Sequence, residues 1–571
     1  MSEDKISGSE ILIRSLMEEG VEIVYGYPGG AITPVFDCLY DYRDKLHHIL
    51  MRHEQGATHA AQGYARVSGK PGVVIVTSGP GATNAITGIA DAMMDSTPMV
   101  VIAGQMPASM LGTDAFQETD VVGVTLPITK WSYQIRRAED IAWAVARAFY
   151  IASSGRPGPV VLDFAKNAQV ETAEFKYSKC SFIRSYDPFP KIDDAQIREA
   201  ARMINEARKP LMLVGQGVKL GNAEKEVIAL AEKAGIPVAE TLLGLSAIPS
   251  EHPLNKGMIG MHGNIAPNVK TNECDLLIAI GLRFDDRVTG EISTYACQAK
   301  KIHFDIDPSE FNKNVKIDLA VLGNAKETVP AVAALVNRRE QTEWVKSFEH
   351  AETAEYEKVI KDEITPEDGP LRMGEVVHCV SEAADNNAIV VTDVGQNQMM
   401  AARYSTYRNT RSLITSGGLG TMGFGLPAAI GSKFGAPDRT VCLFAGDGGL
   451  QMTEQELGTI QAYGLDVKII LLSNNVLGMV RQWQELFFEK RFSETDLVNP
   501  DFIKLAEAYG IKGRRITDRS ELKEAVQEMM QHKGAYLLEA DVEKEEMVFP
   551  MTPTGKSVDY IMLNRNETYK K

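Results

Sequence analysis

The chain contains little cysteine, little tryptophan and no long apolar run. Only 6 of its 571 residues are cysteine and 4 are tryptophan, and no two cysteines form a CxxC pair. Such scattered cysteines are typical of reduced thiols and argue against a disulfide scaffold or a zinc site. No apolar stretch approaches the roughly 20 residues that span a bilayer. The polar amino terminus is not followed by the apolar segment that a secretory signal contains. We therefore expect a cytoplasmic protein that binds no membrane.

Positive charge is also scarce. The sequence has 60 Lys and Arg residues against 76 Asp and Glu residues, a formal net charge of −16. An acidic chain without a basic run repels nucleic acid, so we expect small-molecule partners and no nucleic-acid partner. The composition, 44% hydrophobic and 24% charged, is that of a globular protein, and the length predicts several domains.

Three segments of the chain alternate short apolar strands with amphipathic helices. Runs such as "GVVIVTSGP", "CDLLIAIG" and "VKIILLSNN" are apolar on both faces, which is typical of parallel strands covered by helices on both sides. We predict three doubly wound α/β domains with mainly parallel sheets. The predicted ranges are 1–170 and 195–340 for the first and central domains, 171–194 for a linker and 341–370 for a solvated connecting helical segment. The third domain is predicted over 371–550, followed by a carboxyl-terminal tail, 551–571, that covers the active site.

Asp447 is the most informative residue. It lies between two glycines at the end of the run "TVCLFAGDGG", and ligands of open α/β sheets bind at such strand ends. The next predicted strand ends at Asn474, about one helix and one strand later, so both side-chain oxygens are expected at one sheet edge. Oxygen ligands of this kind suit Mg²⁺, which takes further ligands from phosphate and water. The alternative is that both residues belong to ordinary turns.

This spacing resembles the signature of thiamine-diphosphate enzymes, in which GDG is followed by Asn-Asn. The resemblance implies that Asp447, Asn474 and the backbone oxygen of Val476 hold Mg²⁺ against a diphosphate. It also implies a glutamate beside the aminopyrimidine ring, and Glu54 in "RHEQGA", followed by "TSGPGATN", matches that pattern. The alternative for Glu54 is a carboxylate that stabilises a helix amino terminus. Because the two halves of each site come from different chains in this family, the resemblance implies a homodimer at minimum, with a tetramer left open.

Within these enzymes, the chain is similar over nearly its whole length to the catalytic subunits of acetohydroxyacid synthase (acetolactate synthase). The most specific stretches are "RFDDRVTG" and "GMVRQWQ". The resemblance implies that pyruvate is decarboxylated on thiamine diphosphate, and that the hydroxyethyl carbanion adds to pyruvate or 2-ketobutyrate. This reaction is the first common step of valine, leucine and isoleucine biosynthesis. The resemblance leaves open whether a small regulatory subunit binds.

Site residues follow from the same resemblance. The implied catalytic residues are Glu54, Gly30, Gln117, Lys166 and Arg287. The implied acceptor pocket contains Phe116, Met479, Val480 and Trp483. The implied thiamine-diphosphate contacts are Tyr27, Pro80, Asn84, Gln117, Val394, Gly395, Gln396, Asn397, Gly420, Met422, Gly446, Asp447, Gly448, Gly449, Asn474, Leu477, Gly478 and Met479. The residues alone leave two alternatives: Arg287 as a partner of Asp285 or Asp286, and Trp483 as a core aromatic.

The central segment resembles the FAD domain of these synthases. From the residues alone, "GQG" is a weak glycine signal for a nucleotide-sized site. The implied FAD contacts are Arg156, Gly215, Gln216, Gly217, Thr241, Leu242, Met261, His262, Gly281, Arg283, Asp285, Arg287, Asp305, Ile306, Asn324 and Ala325. Because the reaction involves no net redox change, the flavin is expected to be largely structural. Two positions depart from the family pattern: Asn397 replaces a histidine and Asn324 replaces an aspartate.

Several other functions are alternatives. A catabolic acetolactate synthase without flavin lacks the stretch from Arg283 to Arg287, and glyoxylate carboligase lacks the glutamate found here as Glu54. A pyruvate oxidase needs a redox-active flavin and lacks the sequence around Trp483. A non-catalytic regulatory homologue is disfavoured because Glu54, Asp447 and Asn474 are all present.

Overall fold

The computed structural model describes residues 5–570 and contains three six-stranded sheets whose strands are all parallel. The predicted fold class, three α/β domains with mainly parallel sheets, is confirmed. Each sheet contains a point at which successive strands extend to opposite sides, and such a switch point opens a crevice at the carboxyl ends of the strands. The predicted domain ranges stay a prediction.

The first sheet has the order β3-β2-β4-β5-β7-β6. Its strands are β2 (Ile23–Gly26), β3 (His47–Leu50), β4 (Gly72–Val76), β5 (Met99–Gln105), β6 (Trp131–Ile135) and β7 (Pro159–Ala165). Its helices are α1 (Gly8–Glu18), α2 (Thr33–Tyr42), α3 (Glu54–Ser68), α4 (Pro80–Asn84), α5 (Ile86–Met94), α6 (Val121–Thr125), α7 (Ile141–Ser153) and α8 (Lys166–Val170). A short ribbon pairs β1 (Lys5–Ser7) with β8 (Thr172–Glu174), so the first residues of the predicted linker pack on this unit.

The central sheet has the order β11-β10-β9-β12-β13-β14. Its strands are β9 (Pro210–Val214), β10 (Val238–Glu240), β11 (Asn255–Met258), β12 (Leu276–Ile280), β13 (Lys300–Asp305) and β14 (Leu319–Leu322). Its helices are α9 (Asp194–Glu206), α10 (Gln216–Leu220), α11 (Glu224–Ala234), α12 (Ile265–Thr271), α13 (Asp286–Thr289) and α14 (Ala325–Leu335). The switch point lies between β9 and β12.

The connecting segment differs from the solvated helix expected there. It consists of α15 (Thr342–Lys346), α16 (Glu349–Glu355), a π-helical turn (Tyr356–Ile360) and α17 (Lys361–Ile364). Trp344 and Phe348 are buried against the central unit, and the Trp344 indole N–H donates to the Pro210 carbonyl at 2.8 Å. Buried Glu355 pairs with Arg403 at 2.6 Å. The charged residues of this segment masked an apolar face that the sequence pattern did not reveal.

The third sheet has the order β16-β15-β17-β18-β20-β19. Its strands are β15 (Ile389–Thr392), β16 (Leu413–Ile414), β17 (Val441–Gly446), β18 (Val467–Ser473), β19 (Lys512–Ile516) and β20 (Tyr536–Asp541). Its helices are α18 (Met373–Ala383), α19 (Gln396–Tyr404), α20 (Gly425–Gly435), α21 (Asp447–Gln451), α22 (Leu457–Tyr463), α23 (Gly478–Phe487), α24 (Phe502–Ala508) and α25 (Arg519–Gln531).

The first and third units share one hydrophobic core. A single cluster of buried residues runs from Tyr25 and Val161 in the first unit to Ile389 and Leu537 in the third. Helices α3 and α20 pack at its centre, and glycines let their backbones approach closely. A Cβ atom at Gly431 would lie 1.8 Å from the Ala60 carbonyl oxygen. The two units therefore pack as one body.

The carboxyl-terminal tail packs on the central unit. The Thr552 amide donates to the Met261 carbonyl at 2.8 Å, and Gly290 pairs with Ser557 in an isolated bridge. Val558, Ile561 and Leu563 are buried there. That the tail covers the active site stays a prediction.

Within residues 5–570, none of the helices has the length and apolar character needed to cross a membrane. The expected cytoplasmic location stays a prediction.

Candidate active site

Asp447 and Asn474 lie together at the carboxyl edge of the third sheet. β17 ends at Gly446 and its neighbour β18 ends at Ser473, so the residue after each strand reaches the same crevice. The Asp447 carboxylate accepts hydrogen bonds from the Asn475 amide at 2.7 Å and from the Asn474 amide at 3.3 Å. Burial raises the pKa of Asp447. A cation beside this carboxylate would favour its charged form.

The surroundings of Asp447 are rich in amide groups. The Asn499 side chain donates to its carboxylate at 2.6 Å, and the Asn474 side chain donates to Gln396 Oε1 at 3.3 Å. Asn397 is buried, and its Nδ2 donates to the carbonyl of Phe444, two residues before the end of β17. Among residues 5–570, no group of three or more His, Cys, Asp or Glu residues could hold a metal ion. A site of one carboxylate, one amide and a backbone oxygen fits Mg²⁺ only if phosphate and water complete the coordination.

Glycines and two apolar side chains border this crevice. Gly446 precedes α21, and Gly448 and Gly449 lie in its first turn, where backbone N–H groups have no partner within the helix. A Cβ atom at Gly448 would lie 2.6 Å from Leu477 Cδ2 and 3.4 Å from Met422 Cε. Met422 thus lies beside the glycines that follow β17.

Glu54 is the first residue of α3 and is largely buried, with 9% of its surface exposed. The Asn84 side chain donates to Glu54 Oε2 at 3.0 Å. Gln117 adopts a left-handed backbone conformation (φ 61°) and lies against Gly79, which precedes Pro80. Glu54, Pro80, Asn84 and Gln117 therefore gather beyond the carboxyl end of β4.

Other predicted residues of the first unit lie on its surface. Lys166 Nζ donates to the Gly30 carbonyl at 3.1 Å. Phe116 is 82% exposed and Tyr27 is 40% exposed. A single chain leaves these apolar side chains without cover.

A cavity of about 630 Å³ opens where the first, central and third units meet. This volume is in the range of sites that hold a cofactor-sized ligand. Its lining includes the predicted residues Arg156, Gln216, Gly217, Thr241, Leu242, Met261, His262, Gly281, Arg283, Asp285, Arg287, Asp305, Ile306, Asn324 and Ala325, with Val394, Gly395, Gly420, Met479 and Trp483. Gly215 does not line the cavity, but a Cβ atom there would lie 2.1 Å from the Gly281 carbonyl oxygen.

Two turns of the central sheet need glycine to form the cavity wall. A Cβ atom at Gly217 or at Gly281 would lie 2.6 Å from the Cα atom of the other residue, and Gly281 has a φ of 61°. The turns after β9 and β12 therefore meet backbone to backbone at the switch point. A ligand can approach both turns closely because no side chain intervenes.

Polar residues of the cavity wall are partly committed to other contacts. Arg156 pairs with Glu310 at 2.5 Å and with Asp307 at 3.3 Å. Asn324 caps α14, where its side chain accepts a hydrogen bond from the Lys326 amide at 3.0 Å. Burial lowers the pKa of His262 to about 3. These residues form part of the cavity wall. Because its pKa is low, the His262 side chain is neutral and can lie against an uncharged ring of a ligand.

The Arg287 guanidinium group is only weakly paired with other protein groups. Its Nε lies 3.7 Å from Asp286, and both side chains are mostly exposed. An exposed pair at this distance contributes little. The predicted alternative, an ordinary ion pair, is thus present but weak.

Trp483 and Met479 both line the cavity from α23. Trp483 is only partly buried, and its ring centre lies 5.0 Å from that of Phe487. Val480 lies on a more exposed face of the helix. Trp483 is therefore a wall residue rather than a core aromatic.

Comparisons with known proteins cover the chain almost from end to end. Family models of thiamine pyrophosphate enzymes match residues 6–124 (N-terminal TPP binding domain), 197–332 (central domain) and 393–540 (C-terminal TPP binding domain). The acetolactate synthase large subunit of Lactococcus lactis is 44% identical over 561 residues, which cover 98% of this chain and 96% of that protein. The isozyme 2 large subunit of Escherichia coli is 43% identical over 563 residues, 97% of this chain and 98% of its own length. The chain belongs to the acetolactate synthase large-subunit family of thiamine pyrophosphate enzymes. The probable large subunit of Methanocaldococcus jannaschii, 44% identical over 564 residues, covers 96% of this chain and 94% of its own length.

This acetolactate synthase family member holds its predicted residues in two separate groups. Glu54, Gly30, Gln117 and Lys166 belong to the first unit, and none of them lines the cavity that contains Trp483. Within residues 5–570 no hydrogen bond or ion pair links Glu54 with Asp447.

Two buried carboxylates that sequence reasoning missed hold a cavity loop of this family member. The loop from Thr415 to Thr421 precedes Met422. Ser416 donates its hydroxyl to Asp91 at 2.6 Å, and the Gly418 amide donates to Asp95 at 2.7 Å. The only sequence signal is the presence of two carboxylates in and just after the apolar helix α5. Their partners lie more than 300 residues away, which no local pattern reveals.

Proposed function

We propose that this chain is the catalytic subunit of an acetohydroxyacid synthase that depends on thiamine diphosphate, Mg²⁺ and FAD. It decarboxylates pyruvate and joins the remaining two-carbon unit to a second 2-ketoacid. Pyruvate as acceptor gives 2-acetolactate and 2-ketobutyrate gives 2-aceto-2-hydroxybutyrate, in the first common step of branched-chain amino acid biosynthesis. The observation that carries this proposal is the near full-length similarity to acetolactate synthases, with Glu54, Asp447 and Asn474 all retained.

Thiamine diphosphate supplies a carbon nucleophile when bound. For this chemistry Glu54 would hold a hydrogen bond to the aminopyrimidine ring, and Asn84 keeps its carboxyl group oriented by donating to the other oxygen. At the third sheet, Asp447, Asn474 and the Val476 backbone oxygen would hold Mg²⁺. The N–H groups at the start of α21 would receive the diphosphate. Because Asn397 Nδ2 already donates to the Phe444 carbonyl, its second N–H would have to serve a phosphate, and the side chain cannot titrate as a histidine does.

FAD would occupy the cavity where the three units meet. The glycine turns at Gly217 and Gly281 give a flat, closely approachable wall, as dinucleotide sites require. Since the proposed reaction needs no net electron transfer, the role of FAD would be to fill this cavity. Asn324 would contact it weakly, because its side chain already caps α14.

The acceptor ketoacid would bind in the cavity that Arg287 and Trp483 both line. A guanidinium group that is only weakly paired can bind a carboxylate with two hydrogen bonds. Trp483 and Met479 would supply an apolar wall that distinguishes the ethyl group of 2-ketobutyrate from the methyl group of pyruvate. Gly30, Phe116, Gln117 and Lys166 would complete the pocket from a second copy of the chain.

We infer a homodimer at minimum, with sites shared between two chains. Glu54 is not among the residues that line the cavity with Trp483, which supports this, as does the exposed apolar surface of the first unit. Phe116 and Leu126 are 82% and 67% exposed, and apolar patches of this kind mark interaction surfaces. A tetramer would be a pair of such dimers. Because relatives are named as large subunits, a small regulatory subunit is among the proposed partners.

The first experiment is an assay of product formation. We expect the purified chain, supplied with thiamine diphosphate, Mg²⁺ and FAD, to form acetolactate from pyruvate without consuming oxygen. The Glu54→Gln variant should lose about 10²–10⁴-fold in kcat, because its amide cannot support the same proton transfer. Oxygen uptake with pyruvate, or a Glu54→Gln variant within about threefold of wild type, would contradict the proposal.

A second experiment tests whether sites are shared. Glu54→Gln and Asp447→Ala variants should each be inactive as homodimers. In a mixed dimer, one site receives both substitutions and the other receives neither. Co-expression should therefore restore activity to one site per mixed dimer. Two inactive variants that stay inactive when co-purified as a mixed dimer would refute shared sites.

A further inference from the structure

Glu456 reaches from the third unit to the residues that precede Glu54. It lies on the 3₁₀ turn Glu454–Glu456, which follows α21. Its Oε1 accepts hydrogen bonds from the amides of Arg52 at 3.0 Å and His53 at 3.1 Å. We propose that Glu456 is a positioning residue that fixes the start of α3 and so the direction of the Glu54 carboxyl group. The inference rests on the proposed function, in which Glu54 contacts the cofactor.

The backbone at this point needs an external acceptor. β3 ends at Leu50 and α3 begins at Glu54, so the Arg52 and His53 amides fall between the sheet ladder and the helix. Buried N–H groups without acceptors are costly. His53 adds a local cap, since its Nδ1 accepts from the Gln55 amide at 3.1 Å. That bond does not satisfy the amides of Arg52 and His53, which both donate to Glu456.

The contact is buried and leaves no spare room. The Glu456 side chain is fully buried, and its Oε2 accepts the Thr459 hydroxyl at 2.8 Å. A Cβ atom at Gly56 would lie 2.3 Å from Glu456 Oε1. Glu456 is thus fixed by its hydrogen bond from Thr459 and lies in close contact with the first turn of α3 at Gly56. A shift of its carboxylate would move the backbone that carries Glu54.

A neighbouring contact provides a matched control. Tyr463, one helix further along, joins the same two units: its hydroxyl accepts from the Leu50 amide at 2.8 Å and donates to the His48 carbonyl at 3.2 Å. These bonds hold β3 against α22 without touching the start of α3. Tyr463→Phe therefore weakens the packing of the units but not the proposed positioning.

The test compares Glu456→Ala, Glu456→Gln and Tyr463→Phe in the full chain with thiamine diphosphate, Mg²⁺ and FAD. We expect Glu456→Ala to lower kcat by about 10- to 100-fold, since a misplacement of about 1 Å near the chemistry has such effects. Its KM for pyruvate and its affinity for thiamine diphosphate should stay within about threefold. Glu456→Gln should recover most of kcat because the amide oxygen can replace Oε1. Hydrogen exchange of residues 51–57 should accelerate in Glu456→Ala and not in Tyr463→Phe.

Several results would overturn the inference. They are a wild-type kcat in folded Glu456→Ala, an equal loss in Tyr463→Phe, or a Glu456→Gln variant as impaired as Glu456→Ala. If Glu456→Ala does not fold, Glu456→Asp withdraws the carboxylate by one methylene, and a wild-type kcat there also refutes positioning. Glu54→Gln separates the two levels: if it stays active, the proposed function fails. If it is inactive while Glu456→Ala is fully active, only the positioning inference fails.

Discussion

Adding one methyl group at Gly431 should separate the two helices at the centre of the shared core. In α20 this Cβ atom would lie 1.8 Å from the Ala60 carbonyl oxygen of α3, and the obstacle is backbone. An ordinary contact is about 3.5 Å, so the helices would have to move apart by more than about 1 Å. We estimate a cost of about 3 kcal/mol for this overpacking, against a gain of about 1 kcal/mol from replacing glycine by alanine in a helix.

The net loss of about 2 kcal/mol corresponds to a fall in Tm of about 4–8 °C for a unit of this size. Differential scanning calorimetry of Gly431→Ala against wild type measures it. Gly435→Ala in the same helix is the control, because its Cβ atom would lie 3.1 Å from the Tyr64 carbonyl oxygen. We expect Gly435→Ala to change Tm by less than about 3 °C. A Gly431→Ala protein as stable as wild type would show that the α3–α20 contact is looser than described.

Three further predictions concern the sites. Asp447→Ala should abolish the Mg²⁺ dependence of thiamine-diphosphate retention, measured by equilibrium dialysis with and without EDTA; an unchanged EDTA response would argue against the clamp. Trp483→Leu should lower the preference for 2-ketobutyrate over pyruvate. One methylene against an apolar wall gives a preference of about 10- to 200-fold. A competition assay measures the ratio of the two products, and an unchanged ratio would show that Trp483 is not part of the acceptor pocket. Burial raises the pKa of Asp163 to about 6 from 3.8, so the folded state keeps a proton that the unfolded state loses, and stability should fall by about 2 kcal/mol as pH rises from 4 to 6. Asp163→Asn should flatten this dependence in thermal scans, and a retained slope would assign it to another group.

The sequence predicted most features that depend on local pattern. Apolar runs marked the buried strands β4, β12 and β18, because a parallel strand covered on both faces has no polar alternation. The spacing from Asp447 to Asn474 placed two polar residues at one sheet edge, since neighbouring parallel strands end on the same side.

Features that depend on long-range packing were not predicted. The burial of Trp344 is hidden by the charged residues around it. Asp95 and Glu456 make their decisive hydrogen bonds to residues more than 300 positions away, and a carboxylate has the same one-letter code whether it is solvated or caps a distant turn. Only the folded chain distinguishes these cases.

The shared core of the first and third units also sets the order in which the chain can mature on the ribosome. The first sheet is complete once Ala165 has emerged, but the face of α3 that includes Ala57, Ala60 and Tyr64 waits for α20, which begins about 260 residues later. At 5–20 residues per second this delay is roughly 15–50 s. Throughout it, the nascent chain presents an apolar surface that the finished enzyme never exposes. Chaperone binding during synthesis should therefore concentrate on this helix, while the central unit folds in the interval.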